Sequence, residues 1–412
     1  MYLSTVTTPA EASAAGRRRL GAVSANVVAL GAVSLLTDVS SEMVTAILPI
    51  YLVVGLQLSP TAYGVVNGLY SGATVLLRLA GGYVADRIQR RKGVAAVGYG
   101  LSALAKLGLI AAGSSVAGIG AVITADRAGK GLRTAPRDAL ITLSTPDDQL
   151  GRAFGVHRAM DSLGAFLGPL VALAVLAAAA QRYDAVFVTS FCVAAFGLVV
   201  LALFVRDKRG SAPLTAVSAR QAAGLLSTRG VRRVLAAACL LGLATVGDGF
   251  VYLILQRRED LSLGWFPLLA VGTSLAYLLL ATPLGLLADR IGRLPVVAGG
   301  YGALVVVYLA LFGPVGGWPL VVGVLLLYGL FYAATDGVLM ALAAPHLPPE
   351  VRATGLALVQ TGQALAVLVS SVLFGLAWQM WGSTAACAIA AATAAGAVTA
   401  TVALLTRLKV TA

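Results

Sequence analysis

The chain has 412 residues, 59% of them hydrophobic and only 11% charged, and its formal net charge at pH 7 is +13. Its mean hydropathy of +0.90 lies far above the values of ordinary soluble domains. This composition excludes a soluble globular protein and indicates a chain that crosses a membrane many times.

Twelve apolar stretches are each long enough to cross a bilayer as a helix, which takes roughly 20 residues. Charged residues and Gly/Pro-rich breaks separate these stretches, and we number them spans 1 to 12. Their predicted limits are 22–54, 61–85, 93–112, 116–138, 153–179, 184–205, 231–256, 265–288, 294–312, 318–341, 355–378 and 384–406. The sequence therefore predicts an all-α integral membrane protein with twelve transmembrane helices.

The distribution of lysine and arginine predicts the orientation, because short cytoplasmic loops are enriched in these residues. Of the 30 basic residues, 20 fall in the two tails and in the loops on the same side as the tails, whereas the opposite loops hold three. We expect a multi-pass protein of the cytoplasmic membrane with cytoplasmic tails at 1–21 and 407–412. Because this distribution accounts for the positive charge, we expect membrane lipids as partners and no nucleic acid.

The chain start and the cysteines exclude several other features. The apolar run after the first arginines contains Asp38 and Pro49 and is too long for a cleavable signal peptide. The three cysteines, Cys192, Cys239 and Cys387, occur singly within spans. This pattern predicts neither a disulfide framework nor a metal site, and we expect no cofactor.

Internal repeats divide the chain into two halves. The pattern Gly-x-x-Ala-Asp-Arg-Ile-x-Arg ends span 2 at 82–90 and recurs 203 residues later at the end of span 8, at 285–293. The sequence RAFG at 152–155 recurs as RATG at 352–355, and Asp126 in span 4 matches Asp336 in span 10. We predict two six-helix bundles, 22–205 and 231–406, joined by a basic cytoplasmic loop at 206–230. Such parallel halves are typical of transporters.

The repeated block resembles the signature loop of the major facilitator superfamily (MFS). The first copy contributes Gly82, Asp86, Arg87, Arg90 and Arg91, and the weaker second copy contributes Gly285, Asp289, Arg290 and Arg293. Gln89 stands where the family pattern has glycine. The resemblance implies a conformational gate, in which glycine lets two helices approach closely and the aspartate pairs with an arginine or a helix N-terminus in one conformation only.

Spans 4 and 5 carry two further resemblances. Arg127-x-x-Lys130-Gly131 resembles the span 4 motif of proton-coupled members, with lysine in place of glutamine. The wider block is similar to a bacterial MFS subgroup described as drug or metal-resistance exporters. In span 5, Gly164-x-x-x-Gly168-Pro169 resembles part of the motif of antiporters. Small residues four apart also permit close helix packing, so a purely structural role for these glycines remains an alternative.

The MFS arrangement implied by the resemblance lines a central cavity with spans 1, 4, 7 and 10. At about 1.5 Å per residue, Asp38, Arg127 and Asp248 fall near mid-depth and Asp336 nearer the inner face. Asp126 and Lys130 are four apart, and we expect them to neutralise each other. The candidate residues of the substrate cavity are Asp38, Glu42, Arg127, Lys130, Asp248, Phe250, Tyr332 and Asp336.

Asp38 and Glu42 share one face of span 1, because they are four residues apart. An acid held between apolar surroundings and a nearby arginine can gain and lose protons as the cavity opens to each side. Our hypothesis is that Asp38, together with Glu42, carries a coupled proton and that Arg127 sets the proton affinity. Two alternatives remain open: Glu42 recognises a cationic substrate, or the pair forms a static salt bridge between spans 1 and 4.

His157, Arg158 and Asp161 form a candidate polar cluster near the inner mouth of span 5, either as a structural contact or as a proton relay. An acyltransferase that uses His157 and Asp161 is a remote alternative, since no nucleophile is placed beside a base.

We therefore expect a monomeric secondary transporter whose two halves rock about a mid-membrane site. The expected activity is proton-coupled export of a small organic molecule or drug, and proton-coupled uptake is the alternative. The acids favour a cationic or neutral substrate, whereas Arg127, Lys130 and Arg133 would allow an anion, so the sequence leaves the substrate's charge undecided.

Overall fold

The computed structural model describes residues 24–70, 90–146, 149–207, 229–336, 338–343 and 352–406, and all regular elements in these ranges are helical. This confirms the all-α fold class. In the described ranges, nine helices are long and apolar enough to cross a membrane, and the last of them, Leu358–Thr406, covers two predicted spans. The total of twelve crossings stays a prediction, since most of span 2 lies outside the described residues.

The helices of the first half follow the predicted spans. Span 1 is the helix Ala25–Ile50, which begins at the Ser24 cap and continues into one π-helical turn, Tyr51–Gly55. Pro49 lies just before this turn and has no N–H to donate. Span 2 is helical over 60–70. Spans 3 to 6 are the helices Arg91–Ala112, Val116–Leu143, Leu150–Ala178 and Tyr183–Phe204.

The second half contains two interrupted helices. Span 7 comprises Arg229–Ala244 and Asp248–Arg258, and span 10 comprises Gly317–Thr335 and Val338–Ala343. Span 8 is Phe266–Ile291 and span 9 is Arg293–Ala310. Spans 11 and 12 form the run Arg352–Thr406, which bends at Gly382, where φ is 85°. The sequence analysis treated spans 7 and 10 as continuous, and both interruptions occur next to an aspartate.

Tyrosine hydroxyls satisfy the backbone groups freed by the break in span 7. The Val246 N–H donates to the Tyr308 hydroxyl at 2.9 Å, and this hydroxyl donates to the Ala244 carbonyl at 3.1 Å. The Tyr328 hydroxyl lies 3.2 Å from the Val246 carbonyl oxygen. Unsatisfied backbone groups are costly at membrane depth, so these contacts explain how the helix can be broken there.

Span 5 packs on span 1 through its two motif glycines. A Cβ atom built at Gly164 would lie 2.5 Å from the Leu35 carbonyl oxygen. At Gly168 it would lie 2.6 Å from the Glu42 Cβ and 2.8 Å from the Val39 carbonyl oxygen. Only glycine leaves room for these contacts, so the motif has a structural role whether or not it also serves antiport.

The two halves meet closely at the membrane side where span 1 ends and span 2 begins. A Cβ atom at Gly64 of span 2 would lie 2.5 Å from the Ser371 carbonyl oxygen of span 11. The Tyr63 ring packs edge-on against Phe250 of span 7, with ring centres 4.7 Å apart. The halves are thus closed against each other on this side, which the charge distribution predicts to be the outer one.

Candidate functional site

A cavity of about 710 Å³ lies between the two halves. Its described wall comes from spans 1, 2, 5 and 7 to 11. Pockets for small organic ligands hold roughly 300–1,000 Å³, so this cavity has the size of a site for one such molecule.

Acids and tyrosines dominate the polar surface of the cavity. Its carboxyl groups belong to Glu42 of span 1, Asp248 of span 7 and Asp336 of span 10. Its tyrosines are Tyr63, Tyr70, Tyr252, Tyr277, Tyr301 and Tyr332. The wall residues that the structure describes include no lysine and no arginine, so this part of the cavity offers negative charge and aromatic faces.

Asp248 is the first residue of the second segment of span 7, where the break exposes it to the cavity. Its Oδ1 accepts a hydrogen bond from the Tyr332 hydroxyl at 2.5 Å, and the Tyr328 hydroxyl lies 3.4 Å from the same atom. The predicted cavity residue Phe250 instead has no exposed surface and packs against Tyr63 and Phe374. The break thus exposes Asp248 to the cavity, whereas the Phe250 ring packs in the closed contact between the two halves.

Asp336 occupies the corresponding place in span 10, as the C-cap of the helix Gly317–Thr335. Its Oδ2 accepts a hydrogen bond from the Tyr277 hydroxyl of span 8 at 3.2 Å. Each aspartate beside a helix break is therefore held by tyrosine, and each side chain is exposed to the interior rather than buried in packing.

Arg127 lies outside the described cavity wall and is 3% exposed. Its guanidinium pairs with the carboxylate of the preceding residue, Asp126, and lies 3.8 Å from the centre of the Tyr70 ring. Tyr70 itself lines the cavity. Arg127 therefore contacts the wall but forms no ion pair with Asp38 or Glu42. In this conformation it makes no static salt bridge between spans 1 and 4.

Asp126 pairs with a lysine of span 3. The Lys106 Nζ lies 2.6 Å from Asp126 Oδ1, and the Ser102 hydroxyl donates to the same oxygen at 2.6 Å. The expectation that Asp126 and Lys130 neutralise each other is wrong, because Asp126 turns toward span 3 rather than along its own helix. Lys130 lies outside the described cavity wall.

Asp38 also lies outside the described cavity wall, and its side chain is half-buried. Asp161 of span 5 acts on it electrostatically. The basic groups that act on it are those of Lys130 and Arg133. Lys130 and Arg133, rather than Arg127, are therefore the bases of span 4 that act on Asp38 in this conformation.

The predicted cluster on span 5 forms only in part. His157 Nε2 lies 3.8 Å from Asp161 Oδ1 and 3.5 Å from the Ser34 hydroxyl. The Arg137 side chain donates to the same hydroxyl at 3.1 Å. Arg158 is exposed and takes no part in these contacts, so Ser34 and Arg137 complete the group instead.

The predicted gate is only partly visible. Gly82, Asp86 and Arg87 lie outside the described residues, whereas Arg90 is exposed at the cap of span 3 and Arg91 is buried in its first turn.

In the second copy of the gate, Asp289 and Arg290 are exposed and Arg293 begins span 9. No described atom lies within 4 Å of a Cβ built at Gly285. The single residue between spans 8 and 9 is Gly292, whose φ of 97° favours glycine.

Tyr277 was missed by the sequence analysis and Tyr328 was not singled out, although both hydroxyls contact acids of the cavity. Tyr328 is four residues from Tyr332, and Tyr332 is four residues from Asp336, so helical spacing was a usable signal for Tyr328. Tyr277 lies on another helix, and no spacing in the sequence links it to Asp336.

Chemically, the site can bind a molecule that carries positive charge and apolar or aromatic surface. Among the described residues, no group of three or more His, Cys, Asp or Glu side chains is arranged to hold a metal ion. A helical bundle with two halves, broken helices and an interior cavity defines the class of membrane transporters.

The chain belongs to the major facilitator superfamily. The family model described as Major Facilitator Superfamily matches residues 30–271 and 250–411. An uncharacterised MFS-type transporter of Methanocaldococcus jannaschii is 30% identical over 369 residues, which are 87% of this chain and 89% of that protein. An uncharacterised protein of Mycobacterium tuberculosis is 34% identical over 157 residues, or 38% of each chain. Family membership makes the chain a transporter and not an enzyme, which removes the acyltransferase alternative.

Solved transporters share the fold. The nucleoside transporter NupG matches with a TM-score of 0.80 at 14% identity, covering 93% of this chain and 99% of NupG. A POT family transporter in complex with 5-aminolevulinic acid matches with a TM-score of 0.74 at 15% identity, covering 92% and 95%. At these identities the likeness concerns the fold alone.

Proposed function

We propose that this protein is a proton-coupled exporter of small organic cations that works by alternating access across the cytoplasmic membrane. The observation that carries the proposal is the cavity wall, in which Glu42, Asp248 and Asp336 meet tyrosine rings and no described lysine or arginine. Carboxylates attract a protonated amine, and tyrosine faces bind both its charge and its apolar part. A small organic anion would instead meet three repelling acids.

Competition for the same negative charges supports antiport. A proton bound to an acid of this region lowers the charge that attracts a cationic substrate, and a bound cation disfavours proton binding in return. Such reciprocal coupling between two ligands is a thermodynamic requirement once their binding is linked. A transporter in which each ligand displaces the other exchanges protons for substrate.

Asp38 supplies the second part of the proposal. It lies one helical turn from Glu42 on span 1 but outside the described cavity wall. A charge change at Asp38 can therefore act on the same helix that carries a cavity acid without contact with the substrate.

The test is substrate-induced collapse of a pH gradient in everted membrane vesicles. The panel contains lipophilic amines, quaternary ammonium ions, weak acids and neutral compounds, and the variants are Glu42→Gln and Asp248→Asn. Asp184→Asn is the matched control, because this acid is 53% exposed at the start of span 6 and lies outside the described cavity wall.

We expect amines or quaternary ammonium ions to collapse the gradient in wild type and in Asp184→Asn, and both cavity variants to lose the response. A response to weak acids only would overturn the cation class. Cation-dependent movement of protons in the same direction as substrate would replace export by uptake.

A further inference from the structure

Two of the three acids in the described cavity wall belong to the second half of the chain, Asp248 on span 7 and Asp336 on span 10. Tyr332 connects them. Its hydroxyl donates to Asp248 Oδ1 at 2.5 Å, and its carbonyl oxygen accepts from the Asp336 N–H at 2.7 Å. A single turn of span 10 therefore links the two carboxylates, and both are exposed to the cavity.

Neither aspartate has a basic partner among the described residues. The Tyr332 hydroxyl donates to Asp248, and the Tyr277 hydroxyl donates to Asp336. The ion pairs between described residues include neither of these acids. A tyrosine hydroxyl is a neutral donor, so it holds a carboxylate in place without cancelling its charge. Both negative charges thus remain to be balanced by a ligand.

The internal repeat shows that the second half has kept its acids without the bases of the first half. Asp126, which matches Asp336, pairs with Lys106 at 2.6 Å and with the residue that follows it. The same offset of 210 residues matches the bases of span 4 with uncharged residues of span 10: Arg127 with Gly337, Lys130 with Met340, and Arg133 with Ala343. Span 9, the equivalent of span 3, has no lysine or arginine at 294–312.

A substrate must supply the missing positive charge when the cavity closes around it. A carboxylate that leaves water without a counter-charge is costly, and one ammonium group balances only one carboxylate. The cavity of about 710 Å³ has room for a molecule with two such groups. Phe331, Leu339 and Met340 of span 10 add apolar surface to the same wall. The wall therefore matches two cationic ends joined by an apolar segment.

We propose that the substrate is an organic dication, whose two ammonium groups bind Asp248 and Asp336 together and whose connecting segment is apolar or aromatic. The inference rests on the proposed export of organic cations and narrows their class. It leaves Glu42, the wall acid of the first half, for the exchange with protons. A divalent metal ion carries the same charge, but no group of three or more His, Cys, Asp or Glu side chains in the described ranges is arranged to hold one.

The first measurement is the affinity of the purified protein for straight-chain diamines of increasing length, each compared with the monoamine of the same length by isothermal titration calorimetry. We expect the best diamine to bind about tenfold or more tightly than its monoamine, because it makes one more contact between opposite charges. Equal affinities in every pair would overturn the dication and keep the proposed cation transport. Binding of neither member would reject the proposed function as well.

The second measurement repeats the comparison in Asp336→Asn. We expect the diamine affinity to fall to that of the monoamine, while the monoamine affinity stays within about twofold of wild type because Asp248 still binds one ammonium group. Asp184→Asn is the control and should keep the full preference for the diamine, since this acid lies outside the described cavity wall. A preference for the diamine that survives in Asp336→Asn, or an equal loss of both affinities, would overturn the proposal.

The third measurement adds the base that the repeat lacks. Met340 lies four residues after Asp336 in the cavity wall, at the position that matches Lys130. We expect Met340→Lys to bind the diamine no more tightly than the monoamine, because its own ammonium group balances one aspartate, whereas Met340→Gln keeps the preference. An undiminished preference in Met340→Lys would overturn the proposal, and so would Mg²⁺ or Mn²⁺ binding to wild type more tightly than every diamine.

Discussion

Acids at equivalent positions of the two halves have different surroundings. Asp38 and Asp248 are 210 residues apart, as are Asp126 and Asp336. In the first half, Asp38 and Asp126 lie outside the described cavity wall, and Asp126 pairs with Lys106. In the second half, Asp248 and Asp336 face the cavity and accept hydrogen bonds from tyrosine. At these equivalent positions only the acids of the second half face the cavity, and the first half contributes its wall acid, Glu42, from a different position.

The buried cluster of Asp126, Lys106 and Arg127 sets a clear order of stability. One acid serves two bases, so Asp126→Asn leaves two unpaired charges, whereas Lys106→Met leaves a neutral pair of Asp126 and Arg127. Breaking a buried ion pair by removing one partner costs about 3–5 kcal/mol. We expect Asp126→Asn to lower the free energy of unfolding by about 3–5 kcal/mol and Lys106→Met to lower it clearly less. The measurement is the unfolding midpoint of each purified variant in detergent. The reverse order would contradict the pairing described above.

The Tyr332 hydroxyl is expected to affect binding rather than folding. Hydrogen bonds to charged groups contribute about 1.5–3 kcal/mol, and Tyr332→Phe removes the donor to Asp248 while its ring still packs on Tyr328. We expect the substrate KM to change by about tenfold with an unchanged melting temperature. Tyr99→Phe is the matched control, because the Tyr99 hydroxyl has no hydrogen-bond partner among the described residues. An unaltered KM in Tyr332→Phe would show that the hydrogen bond to Asp248 does not contribute to substrate binding.

At the scale of single residues, the sequence located most of the acids on the cavity spans but not the groups with which they pair. Counting along helices placed Asp248, Tyr332 and Asp336 on cavity spans. Asp126 pairs with Lys106 because of the way spans 3 and 4 are rotated about their axes. This rotation cannot be derived from a single sequence. Residues four apart on one helix were therefore a poor guide to pairing where a neighbouring helix offered a better partner.

At the scale of elements, both interrupted helices carry the same signal. The break of span 7 is followed by Asp248-Gly249, and that of span 10 coincides with Asp336-Gly337. Asp-Gly is a turn-forming pair. The breaks were missed because the spans were delimited by hydropathy, and a single Asp-Gly pair does not interrupt an apolar stretch. The apolar stretches themselves gave the helix positions well, because length and hydropathy are what the bilayer selects.

Tyr308 stabilises the break of span 7 with one hydroxyl that contacts two backbone groups. Tyr308→Phe leaves the Val246 N–H and the Ala244 carbonyl without that partner. A buried polar group left unsatisfied costs about 1–3 kcal/mol. We expect a lower melting temperature for Tyr308→Phe than for Tyr99→Phe, read by thermal unfolding of the solubilised protein. Equal melting temperatures would mean that the break needs no hydroxyl.

The contact between spans 1 and 5 is expected to tolerate no side chain at Gly168. Gly168→Val would drive carbon atoms into Glu42 Cβ and the Val39 carbonyl oxygen. Overpacking a filled interface costs about 1–3 kcal/mol or more, so we expect less folded protein by size-exclusion chromatography and loss of transport. Gly396→Val in span 12 is the control, since no atom of the described residues lies within 4 Å of its Cβ position. Normal folding and transport of Gly168→Val would contradict the tight contact.

For the whole molecule, closure on one side follows from small residues and matched hydrogen bonds. Asn67 of span 2 donates to the Ser371 hydroxyl of span 11 at 3.2 Å, beside the close approach at Gly64. The internal repeat predicts two halves, but it cannot predict which side is closed, because both states of an alternating-access transporter are built from the same sequence. That choice is a property of one conformation.

If transport requires the halves to separate on this side, linking spans 2 and 11 must stop it. We expect Asn67→Cys with Ser371→Cys, in a chain whose Cys192, Cys239 and Cys387 are replaced by alanine, to lose transport on oxidation or with a short thiol crosslinker and to regain it with a reductant. Each single cysteine variant controls for the substitutions themselves. The cross-linked fraction is read by mobility after proteolysis in the 206–230 loop, since both halves then stay joined only through the new bond. Transport that continues at full cross-linking would show that substrate passes without opening between these helices, and alternating access of these two halves would have to be given up.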